Sequence, residues 1–253
     1  MPGFIEPFTE YLQRKALFQP TRLAVDYVFS FDHPFEELFW DTPDGARLNL
    51  LRFPAARKPA RGVVLYFHGN RDNLQRWGNM HRDFTARGYD FVAPDYRGYG
   101  KSTGEPGERT YYEDARLVYD RLLAGYSAGS IVLYGRSLGT AMACFLAAHV
   151  RARKLVLETP FDNIRGLVAA HLRRSSVPFR PAFFFPNDRH LRQAEMPAML
   201  FHGTADRVVP YDSAARLMTC LKPGDEFVTI PGGAHNNLPD FELYQQKLTE
   251  WLE

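Results

Sequence analysis

The sequence predicts an α/β fold with an eight-stranded, mostly parallel sheet covered by helices on both faces. Six short apolar runs alternate with segments in which apolar residues recur every three or four positions, and a hairpin pattern precedes them. A length of 253 residues, with 45% hydrophobic and 24% charged side chains, suits one large globular domain.

The sheet is predicted to open with a hairpin. Apolar and polar residues alternate in residues 36–41 and 47–53, and an Asp44-Gly45 pair lies between the two segments. Alternation with a period of two is typical of half-buried strands, and Asp-Gly favours a tight turn. The first two strands are therefore expected to pair antiparallel.

The other strands are predicted from continuous apolar runs, which are typical of strands buried in a parallel sheet. These runs are residues 62–67, 89–93, 130–134, 154–157, 197–201 and 226–230. Helices are predicted at residues 76–87, 110–123, 138–150, 212–221 and 240–252. Residues 161–196 show no strand pattern, so they are predicted to form a small inserted cap.

Two regions are predicted: an N-terminal amphipathic helical segment, residues 1–22, and an α/β domain, residues 23–253, which carries the cap. An apolar stripe follows one helical face of the first region and comprises Phe4, Ile5, Phe8, Tyr11, Leu12 and Phe18. Such stripes usually pack on the body of a protein, and we predict this here. Weak contact with a membrane surface is the alternative.

Composition excludes several classes of function. The 31 basic and 29 acidic side chains give a net charge of +2 and are spread along the chain, which argues against nucleic-acid partners. Cys144 and Cys220 have no metal or redox spacing and no phosphate-binding loop is present, so no metal and no cofactor is implied. Because no apolar run reaches ~20 residues and no secretory signal is present, a cytoplasmic location is predicted, with peripheral membrane association as the alternative. No oligomeric state is predicted.

Ser137 has the setting of an activated nucleophile. A predicted strand runs into Gly135-Arg136-Ser137-Leu138-Gly139 and then into a helix. Such a turn presents its serine at the carboxyl edge of the sheet, where open parallel sheets bind ligands, and a Cβ at either glycine would clash. The plainer interpretation is a glycine-rich connection with a capping serine.

Two later strands are followed by the groups that a nucleophilic serine requires. Asp206 and His235 lie on the loops after the predicted strands 197–201 and 226–230. Neighbouring strands are about 5 Å apart, so these loops can bring a carboxylate to an imidazole. We predict His235 as general base and Asp206 as the acid that orients it. Glu158 is the competing acid.

Three more polar residues at strand ends, His68, Asp95 and His202, are predicted to be structural, with Asp95 accepting backbone N–H bonds in a turn. An oxyanion hole requires two N–H donors. Leu138 is predicted to supply one, and the loop after residue 67 the other. Asn70 is the best-placed donor in that loop, with Arg71 as the alternative.

These residues resemble the α/β-hydrolase superfamily, and within it the Bem46-like group with the ABHD13-like and ABHD17-like serine hydrolases. The similarity extends over nearly the whole chain from about residue 18 onward. It depends on five matches in order, namely His68-Gly69-Asn70, Asp95 to Gly100 with Ser102 and Gly104, Gly135 to Gly139, His202 to Asp206, and Gly233 to Asn236.

The resemblance implies the α/β-hydrolase fold and hydrolase activity. It matches Ser137, Asp206 and His235 to nucleophile, acid and base, and Asn70 and Leu138 to the oxyanion-hole positions. Eukaryotic relatives often carry a membrane segment or a cysteine-rich acylated N-terminus. Neither occurs in these 253 residues, so depalmitoylation is not implied.

The predicted function is hydrolysis of a small-molecule carboxylic ester or thioester through an acyl-enzyme. An amidase or peptidase with the same three residues is the first alternative, and a catalytically silent binding protein is the second. The cap is rich in apolar side chains, from which Phe161, Phe179 and Phe184 are predicted to bind the acyl group. Packing of the cap on the body is the alternative role for part of this set.

Overall fold

Eight strands form one sheet in the computed structural model, which describes residues 5–171 and 181–253. The strands are β1 Glu36–Asp41, β2 Arg47–Phe53, β3 Val63–Phe67, β4 Asp90–Pro94, β5 Ile131–Arg136, β6 Lys154–Glu158, β7 Ala198–Gly203 and β8 Glu226–Ile230. Their spatial order is β1-β2-β4-β3-β5-β6-β7-β8. The pairs β1–β2 and β2–β4 are antiparallel and the other five are parallel. The predicted fold class is thereby confirmed.

The hairpin forms as predicted. Asp41 pairs with Arg47, and the turn between them contains Gly45 at a φ of +86°. This left-handed conformation costs glycine little because it has no Cβ. The hairpin places β2 beside β4, so the antiparallel strands stand at one edge of the sheet and the parallel strands form its middle.

Both faces of β3, β4, β5 and β7 are buried, which explains why their sequences are mostly apolar. Along β3, Val63, Leu65 and Phe67 pack into one core cluster, while Val64 and Tyr66 pack into a second. The alternation follows from the strand geometry, in which successive side chains point to opposite faces. Each face therefore has its own layer of helices.

The first core cluster lies under α4 Glu108–Leu122 and α5 Gly139–His149, and the second under α2 Leu74–Trp77, α3 His81–Thr85 and α9 Glu242–Leu252. Helix α8 Tyr211–Ala215 continues into a 3₁₀ turn, Arg216–Cys220. These helices match the predicted segments within a few residues, with one exception between residues 76 and 87.

A single helix over residues 76–87 was the wrong prediction. The structure has α2, a 3₁₀ turn at Gly78–Met80, and then α3. A Cβ on Gly78 would lie 2.4 Å from the ring of Phe31, so this ring packs where a regular helix would carry a side chain. Glycine also has a low helix propensity, and the break follows from both effects.

The cap comprises α6 Ile164–His171 and α7 Asn187–Gln193 within the described residues. Its entrance is fixed by Asp162, whose carboxylate accepts hydrogen bonds from Ser213 Oγ at 2.6 Å and Arg216 Nε at 2.6 Å. Its second helix is held by Asn187, whose Nδ2 donates to Thr140 Oγ1 in α5 at 3.1 Å and to the carbonyl of Phe161 at 3.0 Å. Polar contacts thus tie the cap to the body at both points.

The N-terminal helix α1, Ile5–Leu17, docks through its carboxyl end. Phe18 is buried, with edge-to-face contacts to Tyr111 and Phe183 at centroid distances of 5.2 and 5.1 Å. By contrast, Tyr11 is 51% and Leu12 50% exposed. Phe4 and the side chains of Ile5 and Phe8 lie outside the described part. The predicted packing on the body is therefore found for Phe18, and the boundary at residue 22 stays a prediction.

No helix in the described ranges is long and apolar enough to cross a bilayer.

Two histidines, the buried His81 and the partly buried His190, are expected to make stability depend on pH. The pKa of His81 is lowered to about 4, mainly by burial and next by the charge of His33. The pKa of His190 is also lowered to about 4, mainly by burial and next by the charge of His149. The unfolded chain binds these protons near pH 6.5 and the folded chain does not, so stability should fall as the pH drops from about 6.5 toward 4.

Urea unfolding at pH 7.5 and pH 5.0 measures this change. His81 stacks on Phe53 at a centroid distance of 4.3 Å, so the matched variant His81→Phe keeps a ring there and removes the titration. It should lose less stability between the two pH values than the parent. An equal loss in both proteins would contradict the prediction.

Candidate active site

Ser137 occupies a strained turn between β5 and α5. Its φ is +52°, in the left-handed region that costs a non-glycine residue about 1–3 kcal/mol. The glycines on either side are required by close approach. A Cβ on Gly139 would lie 1.9 Å from the carbonyl oxygen of Phe67, and one on Gly135 would lie 2.5 Å from that of Gly139. Both predicted clashes are confirmed.

Hydrogen bonds from three directions hold this turn. The Ser137 N–H donates to the carbonyl of Glu158 at 2.9 Å, and the Ser137 carbonyl accepts from the N–H and hydroxyl of Thr140 at 3.0 and 2.6 Å. Asn187 Nδ2 in turn donates to Thr140 Oγ1 at 3.1 Å. The surrounding structure therefore offsets the strain at Ser137.

The side chains of Ser137, His235 and Asp206 lie in one hydrogen-bonded row. His235 Nε2 is 3.0 Å from Ser137 Oγ, and His235 Nδ1 is 2.8 Å from Asp206 Oδ2. An imidazole that donates from Nδ1 to a carboxylate leaves Nε2 free to accept the serine hydroxyl proton. The row thus has the polarity that proton transfer from Ser137 requires.

Asp206 is held as an anion. Its Oδ1 accepts backbone N–H bonds from Val208 and Val209 at 2.8 and 2.9 Å. Burial opposes ionisation, but the hydrogen bond and charge of His235, together with the Val209 N–H, outweigh it. The pKa of Asp206 therefore lies below the usual value of 3.8.

Close packing of two loops brings Asp206 to His235. A Cβ on Gly203 would lie 2.1 Å from the carbonyl oxygen of Gly233, so only glycine allows the approach. The Ala205 N–H donates to the same Gly233 carbonyl at 2.8 Å. Because β7 and β8 are neighbours, their loops meet at the carboxyl edge of the sheet beside Ser137.

The loop after β3 lies against the same edge. An ideal Cβ on Gly69 would be 3.8 Å from Ser137 Cβ. The hydroxyl of Tyr99 lies 2.7 Å from the carbonyl oxygen and 2.8 Å from Oδ1 of Asn70, which fixes this residue. Among the described residues, the backbone N–H groups of Asn70, Arg71 and Leu138 donate to no protein acceptor, so this observation does not separate Asn70 from Arg71.

A family model named Hydrolase_4 and described as serine aminopeptidase, S33, matches residues 58–184, half of the chain. The chain belongs to this α/β-hydrolase family. The assignment to the Bem46-like group stays a prediction.

Curated relatives of this α/β-hydrolase include lysophosphatidylserine lipase ABHD12 of Macaca fascicularis, 28% identical over 217 residues that cover 77% of the chain and 54% of the relative. The chain thus spans about half the length of such relatives. An uncharacterised protein of Mycobacterium tuberculosis is 27% identical over 89% of the chain and 81% of its own length. The esterase Pf2001 of Pyrococcus furiosus is 17% identical, with a TM-score of 0.73, 93% of this chain covered and 97% of that one. This last similarity shows the shared fold.

Glu158, the competing acid, lies elsewhere in this α/β-hydrolase. Its carboxylate is buried and contacts Arg136 Nη1 at 3.4 Å and the hydroxyls of Tyr134 and Tyr244 at 2.5 and 3.3 Å. The ring of His235 has Asp206 as its carboxylate partner instead. The structure therefore favours Asp206 over Glu158 as the acid.

Asp95 and His68 support the segment after β3, and His202 supports the loop of Asp206. Asp95 accepts a backbone N–H bond as predicted, but from Leu74, 21 positions earlier, at 3.2 Å and not within a turn of its own. It also lies 3.1 Å from Nε2 of the buried His68. Burial raises the pKa of Asp95. His202 Nε2 lies 2.9 Å from the carbonyl of Val209. Among the described residues, no group of three or more His, Cys, Asp or Glu is placed to hold a metal ion.

The three predicted pocket residues have different environments. Phe161 is buried in the core, Phe184 is 55% exposed, and Phe179 lies outside the described residues. Their contact with an acyl group stays a prediction. Arg136 and Tyr99 contact the loops of His235 and Asn70, and neither contact was predicted from the sequence. The signal for Arg136 was a charged residue at the end of a strand that is otherwise apolar.

Proposed function

We propose that this protein hydrolyses carboxylic esters or thioesters through an acyl-enzyme on Ser137. The observation that carries the proposal is the row of hydrogen bonds from Ser137 Oγ through His235 to Asp206. Membership of the α/β-hydrolase family supports it. The relatives named as lipase and esterase support the choice of an acyl ester as substrate.

In the first step, Ser137 Oγ attacks the acyl carbon while His235 Nε2 takes the hydroxyl proton. A bond forms between Oγ and carbon, and the carbonyl π electrons move to the oxygen. The Asp206 carboxylate stabilises the imidazolium that results. Its lowered pKa suits this role because the carboxylate stays charged throughout the neutral range.

The oxyanion is proposed to accept hydrogen bonds from the N–H groups of Asn70 and Leu138, with Arg71 as the alternative to Asn70. One such donor contributes roughly 3 to 4 kcal/mol to transition-state stabilisation. Leu138 precedes α5, so its N–H also lies at the positive end of that helix.

The tetrahedral intermediate collapses when His235 returns its proton to the leaving alcohol or thiol. Water then attacks the acyl-enzyme, His235 accepts a proton from this water, and the second collapse releases the acid and restores the Ser137 hydroxyl. The three side chains return to their starting protonation states. The proposed reaction thus consumes one ester and one water and requires no further reactant.

The proposed substrate is a small-molecule ester or thioester with an apolar acyl group. Phe161, Phe179 and Phe184 belong to the cap segment, which follows β6 and returns to the sheet at β7. We propose that this segment contacts the acyl chain. A series of p-nitrophenyl esters of increasing acyl length measures the depth of the pocket.

An aminopeptidase is the second candidate because the matching family model carries that description. Ester and amide cleavage use the same three residues, so the geometry of the row supports both. Comparing kcat/KM for an aminoacyl p-nitroanilide with that for a p-nitrophenyl ester distinguishes them. Faster cleavage of the anilide would favour the aminopeptidase.

Labelling with a fluorophosphonate probe tests the nucleophile. We expect the native parent to react and the heat-denatured parent to remain unlabelled, because reactivity depends on His235 and Asp206 being in place. Ser137→Ala should not react in either state. Ser127→Ala, which removes an exposed serine before β5, is the matched control and should react like the parent. Equal labelling of parent and Ser137→Ala would refute the assignment.

A further inference from the structure

Arg136, the residue before Ser137, is a charged side chain at a buried position. It is 3% exposed and ends β5, whose residues are all buried. Removing a guanidinium from water costs several kcal/mol unless partners compensate for the lost hydration. A sequence that needed only a strand at this point would be expected to have an apolar residue there.

The guanidinium joins the end of β6 to the loop that carries His235, here called the base loop (residues 231–237). Nη1 lies 3.4 Å from Glu158 Oε1. Nη2 donates to the carbonyl oxygen of His235 at 3.1 Å and to Oδ1 of Asn236 at 3.0 Å. Nη2 is therefore used for the base and for the residue after it.

Glu158 is itself fixed relative to Ser137. Its carbonyl accepts the Ser137 N–H at 2.9 Å, and its Oε2 accepts the Tyr134 hydroxyl at 2.5 Å. These contacts form a closed ring of four residues. Ser137 contacts Glu158, Glu158 contacts Arg136, and Arg136 contacts His235. His235 Nε2 in turn lies 3.0 Å from Ser137 Oγ. The guanidinium thus contacts the backbone of His235, while the ring of His235 contacts Asp206 and Ser137.

The glycine end of the base loop is held by other contacts. The Gly232 N–H donates to Thr204 Oγ1 at 2.9 Å, and the Ala205 N–H donates to the Gly233 carbonyl at 2.8 Å. The guanidinium adds contacts at His235 and Asn236 themselves. The same guanidinium lies over the ring of Trp77 at 5.1 Å, and Trp77 Nε1 donates to the carbonyl of Arg71 at 2.7 Å. Arg136 therefore also contacts the residue that supports the loop of Asn70.

We propose that Arg136, anchored on Glu158, is a positioning residue that holds the base loop so that His235 Nε2 stays within hydrogen-bond distance of Ser137 Oγ. This inference rests on the proposed function, since it assigns Arg136 a part in activating Ser137. The guanidinium suits the task because it is always charged and presents several donors in a rigid plane. A displacement of about 1 Å at a reacting group can reduce the rate by about 100-fold.

The test is the double variant Arg136→Gln/Glu158→Gln. Changing Arg136 alone would leave the buried Glu158 carboxylate without its cation and could unfold the protein. The double variant removes both charges, and it also removes the hydrogen bonds from the guanidinium to His235 and Asn236. We expect kcat for p-nitrophenyl butyrate to fall by about 10- to 100-fold and KM to change by less than about threefold.

The matched control is Arg97→Gln/Asp114→Asn, which neutralises another buried pair, with Nη2 and Oδ1 2.7 Å apart. Arg97 also contacts Asp44, but that carboxylate is 56% exposed, so water can replace the lost contact. Both double variants should unfold at similar temperatures. The control should keep kcat within about twofold of the parent. If kcat in the Arg136 variant also stays within that range, or if both variants lose activity in proportion to lost stability, the positioning role is refuted.

Proton NMR provides a readout that does not depend on turnover. The Nδ1–H of His235 should give a downfield signal in the parent that is absent in His235→Gln. In the Arg136→Gln/Glu158→Gln variant this signal should broaden or move, because the ring is no longer held. An unchanged signal would contradict the proposal. A parent that reacts with no ester and no fluorophosphonate would refute the proposed function instead, while the NMR comparison would still test the position of His235.

Discussion

Replacing His235 by alanine should lower kcat for p-nitrophenyl ester hydrolysis by about a millionfold, the loss typical of removing the general base from such a triad. The Nε2 atom of His235 lies 3.0 Å from Ser137 Oγ, and the Nδ1 atom of the same ring is 2.8 Å from Asp206 Oδ2. Without the imidazole, the serine hydroxyl has no acceptor for its proton. Residual turnover would come from the oxyanion hole and from substrate binding alone.

Steady-state kinetics with a fluorophosphonate-titrated parent measures this loss. The matched control is His149→Ala, which removes an exposed histidine at the end of α5 whose Nδ1 contacts the carbonyl of Phe145. It should keep parent-like kcat. If His235→Ala retained more than about 1% of the parent kcat, another residue would have to be the base.

Replacing Asp206 by asparagine should lower kcat by about ten-thousandfold while the fold is retained. The amide can donate to Nδ1 of His235, which favours the tautomer with a proton on Nε2. That tautomer cannot accept the proton of Ser137. Because Asp206 has a lowered pKa, the parent carboxylate is ionised at every pH between about 5 and 8, so the parent keeps its orienting anion throughout this range.

We test this prediction by comparing the pH–rate profiles of Asp206→Asn and Glu158→Gln. The comparison also shows which of the two carboxylates orients His235. Glu158 contacts Arg136 rather than the ring of His235, so Glu158→Gln should lose no more than about 100-fold. The reverse order, with Glu158→Gln the more damaged variant, would make Glu158 the orienting acid. Thermal unfolding of both variants separates this result from loss of the fold.

Most of the sheet was predictable because its signals are local. The strand β8 has its bounds at Glu226 and Ile230 in both the prediction and the structure. Glycines were equally informative where they permit close approach, as Gly135 and Gly139 do beside Ser137. Such signals depend on the conformational preferences of residues within one segment and on the spacing of its buried side chains.

Contacts between distant segments were not predictable in this way. The helix over residues 76–87 failed because Phe31, more than 40 residues earlier, packs on Gly78. Glu158 was a reasonable acid by its place after β6, but its side chain points to Arg136 and two tyrosines. The place of a residue after a strand predicts the edge of the sheet at which it lies. The contacts of its side chain also depend on the direction in which that side chain points.

The sequence by itself determined the order of the strands and helices and the loops on which Ser137, Asp206 and His235 lie, because periodicity and glycine placement act within short segments. Only the tertiary structure decided which carboxylate meets the imidazole, how Tyr99 fixes Asn70, and that Arg136 joins Glu158 to the base loop. These contacts join residues about 20 to 100 positions apart, and they form only when the strands pack side by side in one sheet.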